Sequence, residues 1–227
     1  MNPALEAIPE RILHLALGAL TQANMHAVFQ DAGNEHWEYM SVLNAAHAGE
    51  LFLKAIIANE HPLLIFKDLF GLDDGGNDQV EIRDLVERGK THDFDKLPQV
   101  LWVTTGRRVP NMVCFDRLRR ARNAVQHFCA PERENLQRLS LEFIYTVIDP
   151  LIADAFELCA IEYHEDHAVG YDYVVARLLR EELKFTVPTD FRVPEIRLRE
   201  FFDDASEGYR SWLEGELARI GKLDLLN

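Results

Sequence analysis

The chain has 227 residues, 48% of them apolar, with only 12 Gly and 9 Pro. That composition excludes disordered, collagen-like and low-complexity chains, because nearly half the residues are available for burial. The 38 acidic and 24 basic side chains leave a net charge of −14, which argues against a general nucleic-acid coat, since a polyanion is repelled over most such surfaces.

The three cysteines, Cys114, Cys129 and Cys159, are odd in number, far apart and without a CxxC pair. They read as small hydrophobes in a reducing compartment, and a cytoplasmic location is expected. No stretch of 18 uncharged apolar residues occurs, so no membrane span is expected. The first twenty residues carry Glu6, Glu10 and Arg11 among their apolar residues and lack the basic leader of a signal peptide.

In chain order, helical periodicity dominates. Ile12, Leu13, Ala16, Leu17 and Leu20 follow the i, i+3, i+4 pattern, predicting a first helix over about 8–30 with Gly33 beyond it. A second helix is expected over 37–59, broken by Pro62. A short apolar stretch, 63–70, follows, and residues 71–78 (GLDDGGND) form a loop by composition. Two short helices are expected at 79–88 and 94–104, and a third long helix at 113–128. A fourth covers 132–163, with a kink at Pro150. A fifth covers 171–184. Residues 185–194 (FTVPTDFRVP) read as extended, and a last amphipathic helix spans 195–220. The fold class is all-α: a helical domain over 1–165 with a C-terminal helical extension over 166–227.

The charge is unevenly placed. Between Gly106 and Arg138 lie eight arginines and three acids. That segment carries about +5 and leaves about −19 for the rest. On a helical projection of residues 113–128, Cys114, Leu118, Ala121 and Val125 form the buried stripe. Asp116, Arg120, Asn123 and His127 share the opposite face, with Arg119 bordering them. Arg122 lies on the shoulder, about 140° from His127 on an ideal helix.

The string Arg122-Asn123-x-x-x-His127 resembles the R-x(4–6)-H motif of the HEPN superfamily, in which a polar residue follows the arginine. The stretch 47–62 (HAGELFLKAIIANEHP) is similar to the second helix of HEPN proteins, with Glu50 and Lys54 in place. The resemblance covers roughly residues 8–160. It implies an up-and-down helical bundle, RNA as ligand, a homodimer that assembles the site from both chains, and an antitoxin or defence protein as a further partner. It implies Arg122, Asn123 and His127 as catalytic, with Glu50, Lys54 and His47 supporting. Arg117, Arg119 and Arg120 are candidate RNA-backbone contacts. One HEPN subfamily carries H-x-Tyr with an adenylylated tyrosine. Here that position is Cys129, so that regulation is not carried over.

The chemistry stands independently of the resemblance. RNA supplies its own nucleophile, the 2′-OH. Histidine as a residue type titrates near neutrality and exchanges protons with the attacking and leaving oxygens. An arginine holds the phosphate with two parallel hydrogen bonds. No metal or cofactor is required, and the products are a 2′,3′-cyclic phosphate and a 5′-OH. Each residue also has an ordinary role: Arg122 as a snorkelling side chain, His127 as a complement to the helix dipole, Asn123 as an exposed amide, and Glu50–Lys54 as an i, i+4 pair. The acidic, histidine-bearing run 162–167 (EYHEDH) reads as a polar helix end rather than a metal site. Two functions follow: a metal-independent endoribonuclease in a toxin, phage-defence or RNA-processing setting, or a non-catalytic HEPN-like module that binds RNA, a nucleotide or a partner protein. A third reading is an unrelated helical interaction domain.

Overall fold

A computed structural model of the chain describes residues 3–31, 33–34, 36–69, 80–128, 134–164 and 170–226. One helical turn, α1 (Pro3–Glu6), precedes the long helix α2 (Ile8–Val28). The second long helix, α3 (Trp37–Glu60), packs against α2 along its length. Small buried residues line both: Ala16, Ala23 and Ala27 on α2, and Ala45, Ala46, Ala48 and Gly49 on α3. His61 leaves the helix in an extended conformation and Pro62 opens a 3-10 turn (Pro62–Ile65).

A feature with no alternating signal follows. Strand β1 (Phe66–Asp68) pairs antiparallel with β2 (Lys90–Thr91), with α4 (Ile82–Arg88) between them in sequence. Strands of three and two residues are too short to show a period of two. The expected loop at 71–78 lies outside the described residues. A 3-10 turn (Phe94–Lys96) leads into α5 (Leu97–Thr105), which ends at Gly106 with φ +75°. Helix α6 (Met112–His127) starts at Asn111, whose side-chain oxygen accepts the Cys114 N–H at 3.0 Å.

The expected fourth helix is corrected in two ways. It consists of α7 (Leu136–Phe143), one π-helical turn (Ile144–Ile148) and α8 (Asp149–Phe156). It ends at Glu157, whose φ of +58° closes the helix, not near residue 163. Pro150 does not stop it: the chain widens by one residue just before the proline, where the Asp149 N–H bonds the Ile144 carbonyl. A 3-10 turn (Ala160–Glu162) follows. Helix α9 (Asp172–Arg180) is shorter than expected because Glu182, at φ +50°, turns the chain away. The single last helix is two, α10 (Leu198–Asp204) and α11 (Glu207–Arg219), followed by a 3-10 turn (Leu223–Leu226). The break at Ser206 is held from a distance: Glu182 accepts both its backbone N–H, at 2.9 Å, and its hydroxyl, at 2.5 Å.

The extended stretch is present as expected, and its backbone is satisfied without a sheet. Phe185, Val187, Phe191 and Val193 are buried, so the neighbouring polar groups need partners. Side chains supply them. The Tyr209 hydroxyl donates to the Leu183 carbonyl, Arg219 to Val187 and Lys222 to Phe191. In the other direction the N–H groups of Thr186, Arg192 and Glu195 donate to Asp149, the Tyr171 hydroxyl and Asp172.

One apolar cluster runs from Ala16 on α2 to Leu226, so the extension packs on the bundle. Phe115 sits at its centre, 4.7 Å from the Phe94 ring and 6.1 Å from Phe143. Gly49 is required by packing: a Cβ there would lie 2.6 Å from Phe143 Cζ. Buried Asn24 uses both amide N–H groups and its oxygen, donating to the Ala160 and Tyr163 carbonyls and accepting from the Tyr145 hydroxyl. Among the described residues no helix is long and apolar enough to cross a membrane.

Candidate functional site on helix α6

Three of the four residues expected on the buried face of α6, Cys114, Leu118 and Ala121, are buried and Phe115 joins them, while Val125, near the end of the helix, is only half-buried. Helix α7, the partner of α6, runs antiparallel, with Asn111 bonded to Thr146, Phe115 against Phe143 and Arg117 bonded to Glu142. Continuing that register one residue for one residue sets Leu136, the first residue of α7, level with Arg122. The last five residues of α6, about 7.5 Å of helix, therefore run past the end of α7. This overhang explains why Asn123 and His127 are exposed and Phe128 is 90% exposed.

Where the overhang begins, the Arg122 Nη1 donates to the Asn123 side-chain oxygen at 3.1 Å. The guanidinium is thus drawn from its shoulder toward the polar face. The His127 side chain makes no hydrogen bond or ion pair among the described residues. No hydrogen bond in the chain joins it to Arg122. Cys129, Arg133 and the rest of 129–133 lie outside the described residues.

The arginine strip is less available than its sequence count. Arg117, expected as an RNA contact, is instead bound at both ends of its guanidinium, to Glu134 at 2.6 Å and to Glu142 at 3.0 Å. The Glu134 hydrogen bond is the main cause of its raised pKa. Arg107 pairs with Asp154 and Arg138 with Glu181. Arg119 reaches Asp116 only at 3.4 Å, and Arg120 donates to the Asp116 backbone carbonyl. Arg108 lies over the Trp102 ring, 4.8 Å from its centroid. Among the described residues, Arg108, Arg120 and Arg122 have no carboxylate partner, and two of these are on α6.

The second-helix residues are placed elsewhere. Lys54 is nearly buried and donates to Glu50 at 2.6 Å and to the Thr91 hydroxyl at 3.0 Å. Thr91 precedes Phe94, whose ring packs on Phe115 in the first turn of α6. The Glu50–Lys54 pair therefore lies by the start of α6, about 18 Å along the helix from His127. The structure does not bring it to the Arg122–His127 turn within one chain. Burial and the cations of Lys67 and Lys54 lower the pKa of the neighbouring His92. His47 is exposed on α3 with no bond to any α6 residue.

Thiol chemistry is disfavoured at the described cysteines. Burial pushes both the Cys114 and the Cys159 thiol up to about 12. Among the described residues no group of three or more His, Cys, Asp or Glu side chains could hold a metal. Of the run 162–167, residues 165–167 lie outside the described residues. Comparison with known protein families, curated proteins and solved structures finds no match.

Proposed function

We propose that the chain is a metal-independent endoribonuclease of the HEPN type, working as a homodimer in which Arg122 of one α6 and His127 of the other meet over an RNA phosphate. His127 exchanges a proton with the attacking 2′-OH or the leaving 5′-oxygen. Arg122 holds the phosphate, and Asn123 orients the guanidinium. The 2′-oxygen forms the new bond to phosphorus as the bond to the 5′-oxygen breaks, leaving a 2′,3′-cyclic phosphate and a 5′-OH. The observation that carries this reading is the overhang: past Arg122, whose guanidinium is held on the Asn123 amide, α6 runs beyond α7 and ends in an exposed histidine whose side chain has no partner among the described residues.

Cleavage of a labelled RNA tests it. Activity persists in EDTA, vanishes with 2′-deoxy at the cleaved position, and falls by about 10²–10³ in Arg122→Ala and at least as far in His127→Ala. Strict metal dependence or cleavage of the deoxy substrate would remove the chain from this class. The net charge of −14 favours a second reading, a non-catalytic HEPN-like module that binds RNA, a nucleotide or a partner protein. RNA binding without any cleavage would establish its RNA-binding form.

A further inference from the structure

Three segments distant in sequence close a circuit around the first turn of α7. The Phe29 carbonyl is fixed by two donors, Gln137 Nε2 at 2.7 Å and Trp37 Nε1 at 2.9 Å. Next to Gln137 on α7, Arg138 donates to the Glu181 backbone carbonyl at 2.9 Å and also binds its carboxylate. Arg177 binds the other oxygen of that carboxylate at 2.9 Å. One turn back on α9 from Arg177, the Tyr173 ring meets the Phe29 ring edge-on, with centroids 6.5 Å apart.

Two properties of this circuit point to its ligand. Both rings face solvent: Phe29 is 44% and Tyr173 54% exposed. Phe29 directly follows α2 with its carbonyl bonded by two donors, and Tyr173 lies in the first turn of α9. Within the circuit two guanidinium groups, Arg138 and Arg177, share the single Glu181 carboxylate, which leaves an excess of one positive charge. Exposed aromatic rings beside surplus arginine charge are what unstacked bases and a phosphate backbone require. A duplex keeps its bases stacked inside and offers none to such rings.

We propose that Phe29 and Tyr173, flanked by Arg138 and Arg177, form a stacking platform for single-stranded RNA at the same end of the bundle as His127. The proposal rests on the ribonuclease reading and names its substrate as an unpaired segment. The platform surrounds the turn of α7 that lies level with Arg122. Helix α7 packs against both α2 and α6, which sets the axes of α2 and α6 within about two interaxial spacings of each other, ~16–20 Å. A few nucleotides cover that distance, within the usual span of a single-strand site, about 4–16 nucleotides.

The test uses the full chain carrying His127→Ala, so that binding is read without cleavage. Its probe is a fluorescein-labelled single-stranded RNA of about 12 nucleotides, followed by anisotropy, with the same RNA annealed to its complement as control. Phe29→Ala and Tyr173→Ala are each expected to weaken single-strand binding by about 5- to 150-fold. Tyr173→Phe, which keeps the ring, binds as the parent does, and the duplex binds more weakly than the single strand. Thermal melting checks that the variants stay folded, as expected for exposed rings. No binding of the single strand, or binding indifferent to both ring deletions, overturns the platform. Loss of self-association with unchanged RNA affinity also overturns it, and assigns the rings to a contact between copies. Wild-type cleavage unaffected by ring loss would keep the nuclease and discard the platform. Ring-dependent binding with no wild-type cleavage would do the reverse.

Discussion

The Asp149 carboxylate accepts the Thr186 backbone N–H at 2.6 Å with one oxygen and the Ala160 N–H at 2.8 Å with the other. A single buried side chain at the end of the π turn thus joins the helical bundle to the extended stretch of the C-terminal extension. Asp172 repeats the device further along, taking the Glu195 N–H at 2.7 Å.

The first prediction follows from those bonds. Asp149→Ala leaves two N–H groups without an acceptor, each costing about 1–3 kcal/mol where burial is complete. Urea denaturation should show a loss of about 2–5 kcal/mol. A loss within experimental error would mean that the extension is held by apolar packing alone.

The same group sets a pH dependence. Burial pushes the Asp149 carboxyl above its ordinary value, against the lowering effect of the Ala160 and Thr186 hydrogen bonds. The folded chain therefore binds this proton more tightly than the unfolded chain does. The stabilisation it confers is complete below the ordinary carboxyl range, about 3.9, and is lost as pH rises through the raised value. Asp93 acts in the opposite sense, because its hydrogen bond and ion pair with Lys67 lower its pKa. Comparing wild type with Asp149→Asn cancels that background. The stability advantage of wild type should shrink as pH rises above about 4, and a difference independent of pH would refute the assignment.

The sequence was informative wherever a pattern is local and long. Helices α2, α3 and α6 are each 16 or more residues long, enough for the 3.6-residue period to mark their buried faces. The break between α10 and α11 depends on Glu182 reaching Ser206 across 24 positions, and no local signal carries that. The site divides the same way. The Arg122, Asn123 and His127 string and its helical face were legible in the sequence. Their exposure was not, since it depends on where α7 begins. Nor was the commitment of Arg117, whose partners lie 17 and 25 residues away.

Those ion pairs separate arginines that look equivalent in the sequence. Arg120 has no carboxylate partner, while Arg117 has two. Arg120→Ala should weaken RNA binding and lower the slope of log K against log salt by about 1. Arg117→Ala should leave that slope unchanged and reduce stability, by about 1 kcal/mol given its partial exposure. Salt titrations of both variants check this, and a reversed pattern would show that Arg117 releases its carboxylates to meet RNA.

The last prediction concerns which chain supplies which group. On one helix Arg122 and His127 point about 140° apart, and no hydrogen bond joins them within the chain. If both acted within one chain, every copy of Arg122→Ala or His127→Ala would be dead, and so would any mixture. If the site forms across a two-fold axis, a mixed dimer holds one intact arginine on one chain and one intact histidine on the other. One of its two sites is then complete. Mixing the two inactive variants in equal amounts, with free subunit exchange, makes about half the dimers mixed and should restore about a quarter of wild-type cleavage. The measurement is cleavage of a labelled RNA before and after mixing, with native mass spectrometry to confirm exchange. Confirmed exchange without recovered activity would rule out the composite site.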